Sequence, residues 1–398
     1  MGLMMSPLIR PLIRLPGQWT FWADAIVGGQ RLGAVDVAKF SYTSKLSAFG
    51  TGSVTVLLPS GLDSSRLLNL WSWRLWAFYA GVPVWCGVPT GITDVGQAAA
   101  DLTLTELPGY LGKRVMDVSP SKVYTQVEQT TIASDLAAPL TTVGVSVVAD
   151  PGAGVKRDRT YEYLQGGSRA DLLTALSQVI QGPEFRAEYT MTTAGLPACT
   201  LHIAYPRVGS GSAGLGVTVP GAAVAYQAAW DADAMRTHTF AVGDIPDNAA
   251  PGTAQPVVVQ DSPQPDLPRL DAVDDWPGVV LTSTLREKAQ ASALQQADPA
   301  LTLTVTPSEA NPLPITTYTV GDDVTINATT ELLPGGLQVK GRLVQLDVDA
   351  AAGTAAWTVS VPMPPPKARE TLTGALRRLD LTTAGIFHGG PLTILASE

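Results

Sequence analysis

Between Leu67 and Ile92 the chain reads LLNLWSWRLWAFYAGVPVWCGVPTGI, so that Trp71, Trp73, Trp76, Phe78, Tyr79 and Trp85 fall in one short span. Side chains of this size cross a membrane, hold a ligand or build a core. The run is too short and too interrupted for a membrane helix, which needs roughly 18 unbroken apolar residues, and Arg74 sits in its middle. Written as a strand, Trp71, Trp73, Leu75, Ala77 and Tyr79 share one face. Ser72, Arg74, Trp76 and Phe78 share the other. Ala80-Gly81 supplies a turn, and VPVWCGVPTGITDV returns. Bulk on both faces predicts a hairpin covered twice, by a core on its larger face and by a neighbouring subunit on the other. A solvent-facing platform on which sugars or bases stack is the competing use.

The rest of the chain reads as mainly β with an α+β insertion. Charged residues make up 15% of the 398, while Gly (38) and Pro (31) are abundant among Thr, Val and Ala. That mixture favours strands and turns over long surface helices, which draw on Glu, Lys and Arg. A net charge of −9 argues against a protein that grips phosphates, because such binding replaces counterions with Lys and Arg. It suits a surface that nucleic acid passes without sticking. The opening MGLMMSPLIRPLIRLPGQW is not a signal peptide, since Pro7, Arg10, Pro11 and Arg14 break any apolar run. Met1-Gly2 with Ser6 matches a myristoylation pattern only formally. The expectation is a soluble chain with no membrane span. Cys86 and Cys199 lie in separate apolar runs and read as buried free thiols.

Along the chain, residues 1–115 predict a β-domain, with Gly28-Gly29 turning one hairpin and Val54, Val56 and Leu58 alternating in a further strand before Pro59. Residues 116–245 read as α+β. Ile132, Leu136 and Leu140 keep helical spacing there. A second helix opens on a Ser168–Asp171 capping box, carries Leu172, Leu173, Leu176, Val179 and Ile180 as a stripe, and stops at Gly182-Pro183. EFRAEYTM and ACTLHIAYPRV follow as strands. Residues 246–300 read as a Pro-rich acidic linker with a short helix capped by Thr284 and Glu287. Residues 301–362 predict alternating strands of a small barrel-like β-domain, and 363–398 a C-terminal extension.

No residue set reads as catalytic, cofactor-binding or metal-ligating. GSGSAG (Gly209–Gly214) has the spacing of a dinucleotide loop, but LGVTVPG after it is strand-like where that loop requires a helix. His202, His238 and His388 lack further ligands at metal spacing, and Cys199 and His202 point to opposite faces of one strand. Asp274-Asp275 and Asp322-Asp323 are adjacent pairs that diverge in a strand, so neither flanks a cleft as glycoside hydrolysis requires. No nucleophile elbow is present.

Three places carry a family resemblance: RLWAFYAGVPVWCGVPTGITDV; TTIASDLAAPL with DLLTALSQVIQGPEFRAEYT; and YTVGDDVTINA with VKGRLVQLDVD and AAWTVSV. Together they resemble the minor tail proteins, or tail-tip baseplate hub proteins, of long-tailed (siphovirus-type) phages that infect actinobacteria. The resemblance implies a pair of tube-like β-barrel domains in one chain with other domains inserted between them. It implies a homotrimeric, pseudo-hexameric ring that continues the tail tube and lets DNA through its lumen. The implied partners are the distal tail protein, the tape measure and other minor tail proteins. The implied place is the virion tail tip, after synthesis in the host cytoplasm. Such a chain is a virion structural protein and not an enzyme. The alternatives are a carbohydrate- or receptor-binding protein that uses the Trp-rich hairpin, and a cell-wall hydrolase. Family members often carry further fibre or enzymatic modules, and here only the short stretch after Pro362 stands in that place.

Overall fold

The computed structural model describes residues 18–360, apart from 59–61, 63, 97, 120, 152–153, 165–166, 180, 210–214, 220–222, 246–249, 251, 262–266, 277–281, 297–299, 308–314, 316–317 and 330–335. The expectations for the N-terminal leader, His388 and the extension 363–398 lie outside the described residues. The chain opens with β1 (Trp19–Ala25), β2 (Arg31–Ala34), β3 (Val37–Lys45) and β4 (Thr51–Leu57). A short α1 (Ser64–Leu68) precedes β5 (Trp73–Tyr79), β6 (Val82–Gly96) and β7 (Ala99–Glu106). Both predicted turns form. Gly28 and Gly29 take φ of 82° and 65°, and Ala80 and Gly81 take 50° and 82°. Two successive positive φ values suit the twist of a two-residue hairpin.

A 3-10 turn (Leu107–Lys113) leads into β8 (Lys122–Glu128), α2 (Gln129–Ala137), a second 3-10 turn (Ala138–Val143) and β9 (Val145–Ala149). Next come β10 (Lys156–Tyr161), α3 (Arg169–Ser177), β11 (Glu184–Met191) and β12 (Pro197–Ala204). The strands pair as β10-β8 and as β11-β12-β9. The Ser168–Asp171 capping box forms in both directions. α3 ends at Ser177, short of the predicted Gly182 stop, and among the described residues of the expected stripe only Leu173 and Leu176 are fully covered. Glu184 then starts β11, so the described residues between serve as a connection and not as helix.

The last part supplies β13 (Leu215–Val219), β14 (Ala223–Asp231), β15 (His238–Val242), β16 (Val257–Asp261) and β17 (Asp271–Asp275). It closes with α4 (Thr282–Gln295), β18 (Ala300–Pro307), β19 (Asp323–Ala328), β20 (Leu337–Asp349) and β21 (Thr354–Ser360). The stretch read as a Pro-rich linker thus contains β16 and β17, which flank β15 in a three-stranded sheet with α4 packed on one face. α4 begins at Thr282, so Thr284 lies inside it and not ahead of it as a cap.

The dominant feature is one thirteen-stranded sheet in the order β14-β18-β21-β20-β3-β4-β7-β6-β5-β1-β2, with β19 and β13 attached through β20. Strands from the two ends of the chain meet at β20·β3, where Gln345, Leu346, Asp347, Val348 and Asp349 lie opposite Lys45, Ser44, Thr43, Tyr42 and Ser41. Thr43 Oγ1 donates to Asp347 Oδ1 across this seam at 2.6 Å. β13 and β14, grouped by the sequence with the α+β stretch, hydrogen-bond into the same sheet. The fold is therefore mainly β, with tube-like β segments at both ends and an α+β insertion between them.

The Trp-rich hairpin separates two cores. Trp73, Leu75, Ala77 and Trp85 face the first, with Phe40, Val54, Leu102, Leu346 and Trp357. Trp76, Phe78, Cys86 and Val88 face the second, with Ile132, Leu136, Leu140, Leu173, Phe185 and Leu201. Both faces are covered, as the pattern predicts, but the second cover is not a neighbouring subunit. It is the α+β insertion of the same chain, whose α2 and β12 bring their own apolar stripes to the back of β5.

Candidate functional site

The most constrained chemistry lies where the hairpin meets the insertion. Arg74 and Asp24 are opposite residues on paired strands, both on the face turned to the second core. Asp24 Oδ2 accepts from the indole N–H of Trp76 at 2.9 Å, and Arg74 Nε lies 3.9 Å from the same oxygen. Arg74 Nη1 also donates to the carbonyl of Val143 at 3.1 Å, in the 3-10 turn that closes α2. Gly144 follows at φ 73°, and a Cβ there would meet Arg74 Nη1 at 3.1 Å. Burial pushes the Asp24 carboxyl above its usual range, against the pull of Arg74 and the Trp76 bond. A guanidinium placed mid-strand in an apolar run thus ties the sheet to the insertion, its cost offset in part by the Val143 bond and the Asp24 charge while its Nε stays buried without a hydrogen-bond acceptor.

Glu106 is the second node. It ends β7, is 2% exposed, and accepts from Gly50 N–H at 2.8 Å and from Tyr189 OH at 2.7 Å. Burial raises its carboxyl to about 7, although both hydrogen bonds pull the other way. Tyr189 sits on β11 and is pushed up by burial and then by Glu106. Cys86 and Cys199 are free and buried in the second core, and burial holds both thiols well above their usual range. Inert thiols beside a neutral-leaning carboxyl give no nucleophile.

One indole of the opening stretch stays partly open. Trp71 adopts φ 64°, outside β5, and lines an apolar pocket of about 270 Å³ with Ile26, Val88, Leu107, Tyr110, Lys113 and Val143. Trp73, Trp76 and Trp85 are fully buried, so three of the indoles expected to form a stacking platform have no access to a sugar.

The remaining candidates are absorbed by the fold. His202 lies between Asp150 (3.0 Å) and Glu188 (3.2 Å) on the face of β12 opposite buried Cys199. Burial opposes its charge, but these two hydrogen bonds outweigh it and its pKa rises. His238 pairs with Asp261. Asp274 bonds Arg236 and Ser292. Asp322 accepts from Thr319, and Asp323 pairs with Arg207 and Lys340, so neither adjacent acid pair faces a cleft together. The residues after Gly209 lie outside those described until β13, which is a strand and not a phosphate-binding helix. Among the described residues no group of three or more His, Cys, Asp and Glu is placed to hold a metal ion. No helix among them is long and apolar enough to cross a membrane.

Sequence reasoning passed over Asp24, Glu106 and Tyr189. The signal was present: FWADAI and DLTLTEL each hold an acid within an apolar alternation, where a charge needs a buried partner.

No known family model and no curated protein matches the sequence. Solved structures do. The 43 kDa tail protein of prophage MuSo2 from Shewanella oneidensis superposes with a TM-score of 0.60 at 12% identity, covering 86% of this chain and 98% of that one. A tail protein from Neisseria meningitidis MC58 gives 0.56 at 13%, covering 87% and 97%. Prophage tail protein gp18 from Listeria monocytogenes EGD-e gives 0.51 at 12%, covering 90% and 99%. At such identities the likeness is one of fold, and over nearly the whole of each chain that fold is the one found in phage tail proteins.

Proposed function

We propose that the chain is a structural subunit of a phage tail tip, a baseplate hub protein that forms a homotrimeric ring continuing the tail tube. The observation that carries this reading is the β20·β3 seam, which merges β segments from both ends of the chain into one sheet. Two tube-like segments joined side by side give one chain two arcs of a tube wall, so three copies give six. The likeness to whole tail proteins supports the same reading. The net charge of −9 suits a wall past which DNA slides without being held. In this reading the host is an actinobacterium and the tail is of the long, siphovirus type. The partners are the distal tail protein, the tape measure and other minor tail proteins. The protein is made in the host cytoplasm, works in the virion tail tip and performs no catalysis.

The test is light scattering and electron microscopy of the purified chain across micromolar concentrations. The expected species is a ring of three 41.6 kDa subunits with an open lumen. A monomer that stays monomeric and binds cell-wall glycan would refute the hub and favour the receptor-binding alternative.

A further inference from the structure

The pocket beside Trp71 has a shape and a charge that the fold itself leaves unused. Ile26, Val88, Leu107 and Val143 make its buried walls, while Trp71 and Tyr110 are half-buried beside it with ring centroids 6.4 Å apart. Trp71 holds φ 64°, a left-handed conformation that a bulky side chain adopts only when its surroundings force it. Its backbone N–H donates to the Pro89 carbonyl at 3.3 Å, which anchors the position from which the indole stands. The volume of about 270 Å³ exceeds the roughly 150 Å³ of an apolar cavity that holds a benzene ring, so a whole aromatic side chain fits.

Lys113 stands at this pocket with its Nζ 5.9 Å from the Trp71 ring centroid. Its neighbour Arg114 is engaged by Asp117 and Tyr110, but Lys113 meets no acid among the described residues. An exposed ammonium beside an apolar pocket favours an occupant that carries a carboxylate next to its apolar group. The apolar surface also continues past the pocket. Val27 follows Ile26 and is 84% exposed, Leu68 precedes Trp71 by three residues and is 65% exposed, and Val115 lies two beyond Lys113 at 44%. Ile26 N–H donates to the Ser72 carbonyl at 3.0 Å, which brings the tip of the first hairpin beside Trp71. Aliphatic side chains surrounding an anchor pocket suit a protein contact, whereas a small acid in the pocket would leave them wet. A sugar fits poorly, since Ile26, Val88, Leu107 and Val143 give its hydroxyls no partner. We propose that the pocket takes the aromatic side chain of an acidic segment of a partner polypeptide, with the segment's carboxylate on Lys113 Nζ. The contact needs only this chain's own surface and holds whether or not three copies close a ring.

The probe is a blocked Glu-Phe-Glu tripeptide with fluorine on its ring, titrated into the full-length protein and followed by its fluorine NMR line. One anchor is expected to bind with a dissociation constant on the order of millimolar. Lys113→Gln should weaken binding about threefold and Lys113→Glu about tenfold, while a neutral Gln-Phe-Gln probe binds the wild type and Lys113→Gln alike. Trp71→Gly removes one wall and relieves the left-handed backbone, so the line should no longer shift although the chain still folds. No shift with the wild type overturns the proposal, and so does binding indifferent to Trp71→Gly. Equal affinity for the charged and neutral probes overturns the acidic segment. Fluorophenylpropionate binding as tightly as the tripeptide would make this a site for a small acid and overturn the polypeptide partner. Lys113 is exposed, so its two variants carry the test should Trp71→Gly fail to fold.

Discussion

Glu106→Gln is the substitution from which the structure yields a sign and a size. The carboxyl titrates near 7 in the fold against 4.5 for the free side chain. A raised acid stabilises the fold fully below the unfolded value, where both states carry the proton. Its contribution is lost as pH climbs from about 4.5 to 7, where only the unfolded chain ionises, and the loss is complete above 7. At about 1.4 kcal/mol per pH unit the wild type gives up about 3 kcal/mol over that interval. Glutamine keeps both contacts, because its carbonyl accepts from Gly50 N–H and its amide donates to the Tyr189 oxygen. The variant should match the wild type near pH 4 and exceed it by about 3 kcal/mol at pH 8. Urea unfolding followed by indole fluorescence at steps between those limits measures the difference. Asp24, Glu184 and His202 are also raised, so the absolute stability of both proteins falls with pH. Only the gap between the two curves reports Glu106. A gap that stays constant with pH, or a variant weaker at pH 8, would refute the assignment of Glu106 as a carboxyl strained by burial.

Trp76 tests the joint itself. Trp76→Ala should cost about 4–6 kcal/mol, the usual loss for a buried aromatic plus the freed Asp24 oxygen, and should open the α+β insertion to limited proteolysis. Trp76→Phe should cost only about 1–3 kcal/mol; equal losses would mean that the hydrogen bond and not the packing holds the joint. Gly50→Ala places a Cβ 1.7 Å from the Thr43 carbonyl oxygen, which belongs to backbone and cannot swing aside. Its expected cost is about 3 kcal/mol or more, against about 1 kcal/mol at Gly28, where the space is open and only φ is unfavourable; equal melting temperatures for the two variants would contradict this. Cys86 and Cys199 should resist maleimide in the native state and react together on unfolding, as followed by mass spectrometry.

Much of this was legible in local pattern. The two-faced hairpin, its Ala80-Gly81 turn, the Ser168 cap and the Ile132-Leu136-Leu140 stripe each follow from spacing within a few residues. What escaped was non-local. Nothing near Leu346 announces that it pairs with Ser44, because strand pairing is settled by which edges remain open once everything else has packed. The short β15, β16 and β17 hid in a Pro-rich acidic stretch, since five-residue strands with polar alternate positions look like loop. The identity of the hairpin's second cover escaped for a similar reason. Trp76 and Phe78 demand an apolar partner, and the demand does not say whose chain supplies it.

The seam between β3 and β20 also sets an order of events during synthesis. Thr43 waits for Asp347, which lies 304 residues downstream. At ribosomal rates of about 5–20 residues per second that wait lasts roughly 15–60 s. Throughout it, the strand destined for the middle of the sheet is a bare edge, with Phe40, Tyr42, Ser44 and Leu46 offering unpaired backbone to any passing strand. A nascent chain in this state can close on a neighbour's β20 as readily as on its own. Overproduction at high ribosome density should therefore yield swapped chains, and slower, colder expression should favour the correctly closed subunit.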